Sequence, residues 1–256
     1  EISLGLVGSE MCIRDRLCPY DSCRLLAINL LSYVDKPFTK EASFNFEKFK
    51  QHVEKAMRMM DDIIDLELEK VELIINKIAA DPEDEDIRRV EMELWKKIRT
   101  MARKGRRTGL GITAEGDMLA ALGLRYGTPE ATAFAVKVQK TLALEAYRAS
   151  VKMAAERGAF EIFDARKEEK NPMIGRIREA DPELYAEMVK HGRRNIAMLT
   201  IAPTGTTSLM SQTTSGIEPV FRPVYKRRRK INPSDQDAKV AFVDDMGEKF
   251  EEYNVY

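Results

Sequence analysis

From Phe46 to Ala80, apolar residues recur every three or four positions: Phe46, Phe49, Val53, Met57, Met60, Ile64, Leu68, Val71, Ile75 and Ile78. Only a 3.6-residue period keeps such a set on one side, so the spacing predicts one continuous amphipathic helix. Asp81-Pro82 breaks it. The acidic run "DPEDED" then opens a second helix at the positive end of its dipole. Ile87, Val90, Leu94, Ile98 and Met101 form the apolar face of that helix, and Gly105 ends it. Met57, Met59 and Met60 are expected to fill core space. The carboxylates of Asp61, Asp62 and Asp65 are expected on exposed helix faces.

Short apolar runs alternate with the helices. "CRLLAINLLSYV" (23–34) reads as a buried strand stopped by Asp35-Lys36-Pro37, and Gly109–Thr113 as another, followed by a helix from about Glu115. A long helix is predicted between Thr128-Pro129 and Gly158, and two short ones around Asp181-Pro182. "FEIF" (160–163) and "NIAMLTIA" (195–202) are predicted strands, "EPVFRPVYKRRR" an extended segment, and about 233–253 a last helix. Strands alternating with long helices make the fold class α/β.

Charge and composition exclude several functions. The 256 residues carry 42 Lys+Arg and 42 Asp+Glu, so no global field selects nucleic acid or an anionic membrane. The basic run 225–230 is expected as a solvated edge strand or as a partner for acidic elements. No apolar run is long enough to span a bilayer, and the cytoplasm is the default expectation. Cys12, Cys18 and Cys23 all lie near the start and give neither a disulfide framework nor a zinc spacing. With only His52 and His191, a multi-histidine metal site within this chain is excluded, and no metal residue is assigned.

One stretch stands apart: "TIAPTGTTSLMSQTTSGIEP" (200–219), almost uncharged and rich in hydroxyls. A strand ends near Ala202, Pro203 stops its pairing, Gly205 lets a ligand approach the backbone, and a short helix begins near Thr206. The first amides of a helix lack internal partners and favour an anion. Phosphate binding at Pro203, Thr204, Gly205, Thr206 and Thr207 is one reading, and an ordinary capped turn is the other. A Walker loop is excluded, because the lysine after the second glycine is missing. Cys23, alone, reads as a small core residue.

Four segments in order, "PYDSCRLLAINL", "RRTGLGITAEGDMLAALG", "GRRNIAMLTIAPTGTTS" and "TTSGIEPVFRPVYKRR", resemble the large catalytic subunit of ribonucleotide reductases. The likeness runs from about Leu17 to the end. It is nearest to the adenosylcobalamin-dependent (class II) members and includes the helical region 61–104. It implies part of a ten-stranded α/β barrel, the second half-barrel, with long helices. The implied activity is reduction of ribonucleotides to deoxyribonucleotides by thiyl-radical chemistry. The implied cofactor is adenosylcobalamin, with a ribonucleotide substrate, a thiol reductant such as thioredoxin, and a homodimer as the assembly. Pro203–Thr207 is similar to the family's substrate phosphate loop. Cys23 resembles one of the two cysteines that reduce the ribose and become a disulfide, its partner lying upstream.

The family's finger loop carries Asn-Pro-Cys-Gly-Glu, whose cysteine becomes the radical. Here the register holds Glu10-Met11-Cys12-Ile13-Arg14, so only Cys12 matches. "EISLGLVGSEMCIRDR" resembles translated sequencing-adapter read-through. Residues 1–16 are therefore expected to be non-native, and 17–256 to be a partial catalytic barrel domain, inactive alone. The alternatives are a metal-radical-dependent (class I) large subunit and a non-catalytic nucleotide-binding or scaffold protein.

Overall fold

A computed structural model describes residues 17–220, 222, 224–232, 234–235 and 237–255. They fall into two compact units, one running through Pro219 and the other Val220–Tyr256.

In the first unit, strand β1 (Arg24–Asn29) lies parallel to β4 (Thr108–Thr113), in register from Arg24 opposite Thr108 to Asn29 opposite Thr113. The predicted strand 23–34 ends early, in a 3-10 turn at Leu30–Tyr33 that Asn29 starts by accepting a hydrogen bond from the Leu31 amide. Short β2 (Val34–Asp35) and β3 (Ser43–Phe44) pair antiparallel and lead into helix α1 (Phe46–Ala80).

The predicted helix α1 forms over its whole length. The Asn45 side chain caps it by accepting from the Lys48 amide, and Asp81 ends it in extended conformation. Its stripe of Phe49, Val53, Met57, Met60 and Ile64 is buried. Met59 is 58% exposed, so it is not the core filler expected. It lies on the opposite side of the helix from the stripe.

Helix α2 (Glu85–Gly105) starts on Asp84 and carries Arg103 and Lys104 in its last turn, favourable to its dipole. Its expected apolar face packs only toward its end, where Ile98 and Met101 are half-buried. Ile87, Val90 and Leu94 are exposed, and the buried α2 residues are Ala102 and Gly105. Pairing with α1 uses the half-buried side that includes Arg99, which bonds Glu72.

Helix α3 (Glu115–Ala121) follows β4, and α4 (Pro129–Arg157) runs from a Thr128 cap with Pro129 in its first turn to Gly158. Val138, Leu142 and Ala146 of α4 join Ile28, Leu110 and Ile112 of the strands and the α1 stripe in one core. Tyr33, Phe44, Phe46, Phe49 and Phe134 close its end edge to face. Short helices α5 (Ala165–Glu168), α6 (Pro172–Ala180) and α7 (Pro182–His191) follow, the last two flanking Asp181 as expected.

Three strand and helix expectations are corrected. Residues 160–163 are a turn, because Phe160 and Phe163 fold onto the buried Arg193 guanidinium, 5.6 and 5.8 Å from their ring centres. Residues 195–202 do not form a regular strand. The segment does pair with β4, through Thr108 N to Ala197 O (3.0 Å), Leu110 N to Met198 O (2.7 Å) and Thr200 N to Leu110 O (3.0 Å), then bends away. The helix expected over about 233–253 is absent among the described residues. The second unit is instead a sheet of β5 (Tyr225–Lys230), β7 (Lys249–Val255) and β6 (Phe242–Val243), in that order and antiparallel. Asp244 and Gly247 (φ 79°) make the β6–β7 turn. Glu251 and Glu252 of β7 pair with Arg229 and Arg228 across the ladder, which gives the basic run acidic strand partners.

The described strands make sheets of two, two and three and close no barrel. No helix among the described residues is long and apolar enough to cross a membrane.

Candidate functional site

Two features converge on one face of the β1–β4 sheet. Cys23, half-buried, directly precedes β1, and its sulfur lies 3.9 Å from the Arg24 carbonyl. A Cβ built on Gly109 would sit 2.6 Å from that sulfur and 2.8 Å from the Thr200 methyl, so one methyl group would touch both. Gly109 thus keeps room for the cysteine and for the third chain segment. Gly111, one pleat on, serves the bend: a Cβ there would stand 2.1 Å from the Thr200 carbonyl oxygen. Thr200 Oγ1 is buried without a hydrogen-bond partner, as is one terminal nitrogen of Arg107, whose Nε bonds Asp21 at 2.7 Å.

From Thr200 the chain reaches Thr204 in four residues, at most about 14 Å of extended backbone. Helix α8 (Gly205–Ser211) begins one residue earlier than expected. Pro203, Gly205, Thr206 and Thr207 are exposed, and Thr204 is buried. No side chain caps α8, and its first amides, those of Gly205, Thr206 and Thr207, have no partner inside the helix. Thr204 Oγ1 turns inward, 3.0 Å from Thr113 Oγ1, 3.0 Å from Ser215 Oγ and 2.8 Å from the Gly216 amide. Of the sequence-predicted residues, Cys23 and the 203–207 loop thus lie at the two ends of one short path through Thr200. Cys12 lies outside the described residues.

Asp61 corrects the expectation of an exposed helix face: it is fully buried. Arg106 Nε (2.7 Å), Arg194 Nε (3.1 Å), Arg157 (3.3 Å) and Asn195 Nδ2 (3.2 Å) surround its carboxylate. Burial opposes ionisation, but the Arg106 hydrogen bond and the Arg106 and Arg194 charges outweigh it and hold the carboxyl below the ordinary range. Asp62 and Asp65 are near enough to Asp61 to share an ion. With three guanidiniums already on Asp61, the cluster is a structural ion-pair hub, not a cation site. The sequence signal was available: Arg106 and Arg194 each stand beside a predicted strand, but only packing shows where they point.

A cavity of about 710 Å³ lies between α4, α6 and the 199–201 segment. Glu115 lines it, its Oε2 accepting from Gln139 Nε2 at 3.1 Å. Burial raises the Glu115 pKa against the opposing Gln139 bond.

The sequence profile of the ribonucleotide reductase barrel domain matches residues 8–248, a stretch that starts inside the segment expected to be non-native. A "vitamin B12-dependent ribonucleoside-diphosphate reductase" of Thermoplasma acidophilum is 32% identical over 220 residues, 86% of this chain and 23% of that protein. One of the same name from Mycobacterium tuberculosis is 29% identical over 82% of this chain and 24% of its own length. A "ribonucleoside-diphosphate reductase subunit alpha" of Treponema pallidum is 30% identical over 49% of this chain and 15% of that protein. Among solved structures, the alpha subunit of the Actinobacillus ureae class Id ribonucleotide reductase matches with a TM-score of 0.50 and 20% identity, over 77% of this chain and 28% of that one, a likeness of fold. The chain spans about a quarter of the length of the B12-dependent relatives. With the profile covering nearly all of it, the chain belongs to the ribonucleotide reductase barrel-domain family.

Proposed function

We propose that this chain is the part of an adenosylcobalamin-dependent ribonucleotide reductase that holds the substrate's phosphates and offers one of its two reducing thiols. The observation that carries the reading is the short path from the Cys23 sulfur, past Thr200, to the partnerless amides of Gly205, Thr206 and Thr207. The amides and the exposed Thr206 and Thr207 hydroxyls bind the anion without lysine. Fixing the phosphates fixes the ribose, a proximity contribution to the rate. Cys23 and a second cysteine from the parent chain supply two electrons and two protons, both electrons and one proton to the 2′ carbon and the other proton to its departing hydroxyl, which leaves as water. The pair ends as a disulfide that an external dithiol such as thioredoxin reduces. The two B12-dependent relatives are named diphosphate reductases, which favours ribonucleoside diphosphates as substrates.

Cobalamin dependence rests on those names. Among the described residues the two histidines and the cavity beside α4 do not fit the cofactor: that cavity does not include Cys23, and both histidines are engaged, His52 by Tyr33 and His191 by Glu187. We assign its binding to chain beyond these residues, along with the radical cysteine, the general base and the rest of the barrel.

The test is made in the parent enzyme. Cys23→Ser is expected to abolish multiple turnovers with a dithiol reductant while leaving nucleoside diphosphate affinity within about twofold. A loop variant, Gly205→Pro, is expected to weaken that affinity at least tenfold. Full turnover by the Cys23→Ser enzyme would remove the cysteine from the mechanism.

A further inference from the structure

We propose that Thr113 and Asp117 are positioning residues of the phosphate loop. They lock Thr204 and the neighbouring 213–216 turn together, so that the Gly205–Thr207 amides are set before a ligand arrives. This rests on the phosphate assignment made above.

Proton counting on the buried hydroxyls fixes the direction of each bond. Thr113 Oγ1 donates its one hydrogen to the Thr214 carbonyl (3.0 Å), so toward Thr204 Oγ1 (3.0 Å) it accepts. Thr204 spends its hydrogen on Thr113, and its two lone pairs take Ser215 Oγ (3.0 Å) and the Gly216 amide (2.8 Å). The Thr204 hydroxyl is therefore saturated and has nothing left for a phosphate. Its part is to anchor the loop, and contact with the anion falls to the amides and to Thr206 and Thr207.

The 213–216 turn is in turn fastened to α3. Asp117 Oδ2 accepts from the Thr214 amide at 2.7 Å, and the Asp117 amide donates to Thr214 Oγ1 at 3.3 Å. The amides of Ala114, which precedes α3, and of Glu115, its first residue, donate to the Thr214 and Gly216 carbonyls at 3.1 and 3.2 Å. Ala114 is held in the left-handed region (φ 64°, ψ 32°), a conformation that costs a non-glycine residue free energy and persists only when its surroundings fix it. The next residues close in as well: a Cβ on Gly116 would stand 2.7 Å from Pro219 Cα. Thr113 and Thr204 are 1% and 4% exposed, so the bonds between them are made away from water, where they are strong and their loss is felt. Donors aimed at an anion serve binding only if they need no reorganisation, and this clamp supplies that rigidity.

The experiment uses the full 256-residue chain with Thr113→Val, Thr113→Ser and Asp117→Ala. Two quantities are read: hydrogen exchange at the Ser208, Thr214 and Gly216 amides, and the Kd for pyrophosphate by calorimetry. Thr113→Val is expected to speed exchange at those amides and to weaken pyrophosphate binding, each by at least about tenfold, the loss of two buried hydrogen bonds. Exchange in α4 should not change. Thr113→Ser, which keeps the hydroxyl, should restore both. Asp117→Ala, at a half-buried position, removes the acceptor of the Thr214 amide and gives the same pattern at Thr214 should Thr113→Val fail to fold. Unchanged exchange in both Thr113→Val and Asp117→Ala, or a Thr113→Ser protein as impaired as Thr113→Val, overturns the clamp. A wild-type chain that binds no pyrophosphate, with the exchange pattern as expected, instead sinks the phosphate assignment and leaves the clamp standing.

Discussion

Asp61 shows how much a single carboxylate can hold. From α1 it gathers partners on the α2–β4 junction (Arg106), the end of α4 (Arg157) and the segment that approaches β4 (Arg194, Asn195). Arg106 stands in the left-handed region at φ 45°, and its ion pairs with Asp61 and Asp65 offset that cost. Asp61→Asn removes the one buried charge shared by three guanidiniums and is expected to cost about 3–5 kcal/mol in a denaturant titration. Because the folded-state pKa of Asp61 lies below its unfolded value, its stabilisation is present above the ordinary aspartate range. That stabilisation is lost as pH falls through the lowered folded value, so the acid limb of the stability profile, below about pH 4, should flatten in Asp61→Asn. Glu115 has the opposite sign. Burial raises its folded pKa, so protonation favours the native state, and stability falls as pH rises from the unfolded value through the folded one. Glu115→Gln is expected to melt above the wild type at neutral pH, and the two curves should merge once both carboxyl states are protonated.

At the scale of elements, β4 is buried along its whole length and takes neighbours on both edges. Its two glycines should respond differently to the same change. Gly109→Ala meets only the ends of side chains, those of Cys23, Leu25 and Thr200, which can move. Gly111→Ala meets the Thr200 backbone carbonyl and must displace the segment that leads to the 203–207 loop. Melting curves should show Gly111→Ala as the more damaging, by about 1–3 kcal/mol. Helices α1 and α2 make a second contrast. Met60 of α1 is 1% exposed, and Met60→Ala is expected to cost about 2–5 kcal/mol. Leu94 of α2 is 41% exposed, and Leu94→Lys in this chain should stay within about 0.5 kcal/mol of wild type.

At the scale of the molecule, the chain spans about a quarter of the length of its B12-dependent relatives, and on the proposed reading it supplies a phosphate loop and one of the two reducing thiols. Reduction of a ribose needs a radical, a base and two thiols in one shielded place. The purified 256 residues are therefore expected to form no deoxynucleotide when supplied with ribonucleoside diphosphate, adenosylcobalamin and a dithiol, as followed by chromatography. Nucleotide binding should survive in the same preparation.

Residue order alone determined the long helices and their caps, because a 3.6-residue apolar period, Asn45, Asp84, Thr128-Pro129 and Gly158 act locally. It also carried the family, since the ordered segments from Pro19 to Arg228 are local strings, and it marked the turn into α8 through Pro203 and Gly205. The acidic and apolar residues of 242–255 suited a helix. Cross-strand pairing with the basic β5 decided for a sheet. Which face of α2 packs, that Asp61 is buried, that 160–163 wraps Arg193, and that Thr204 turns inward were all decided by tertiary structure. Each depends on a partner tens of residues away in sequence, and a side chain's free energy of burial is set by what it meets, not by its own spacing.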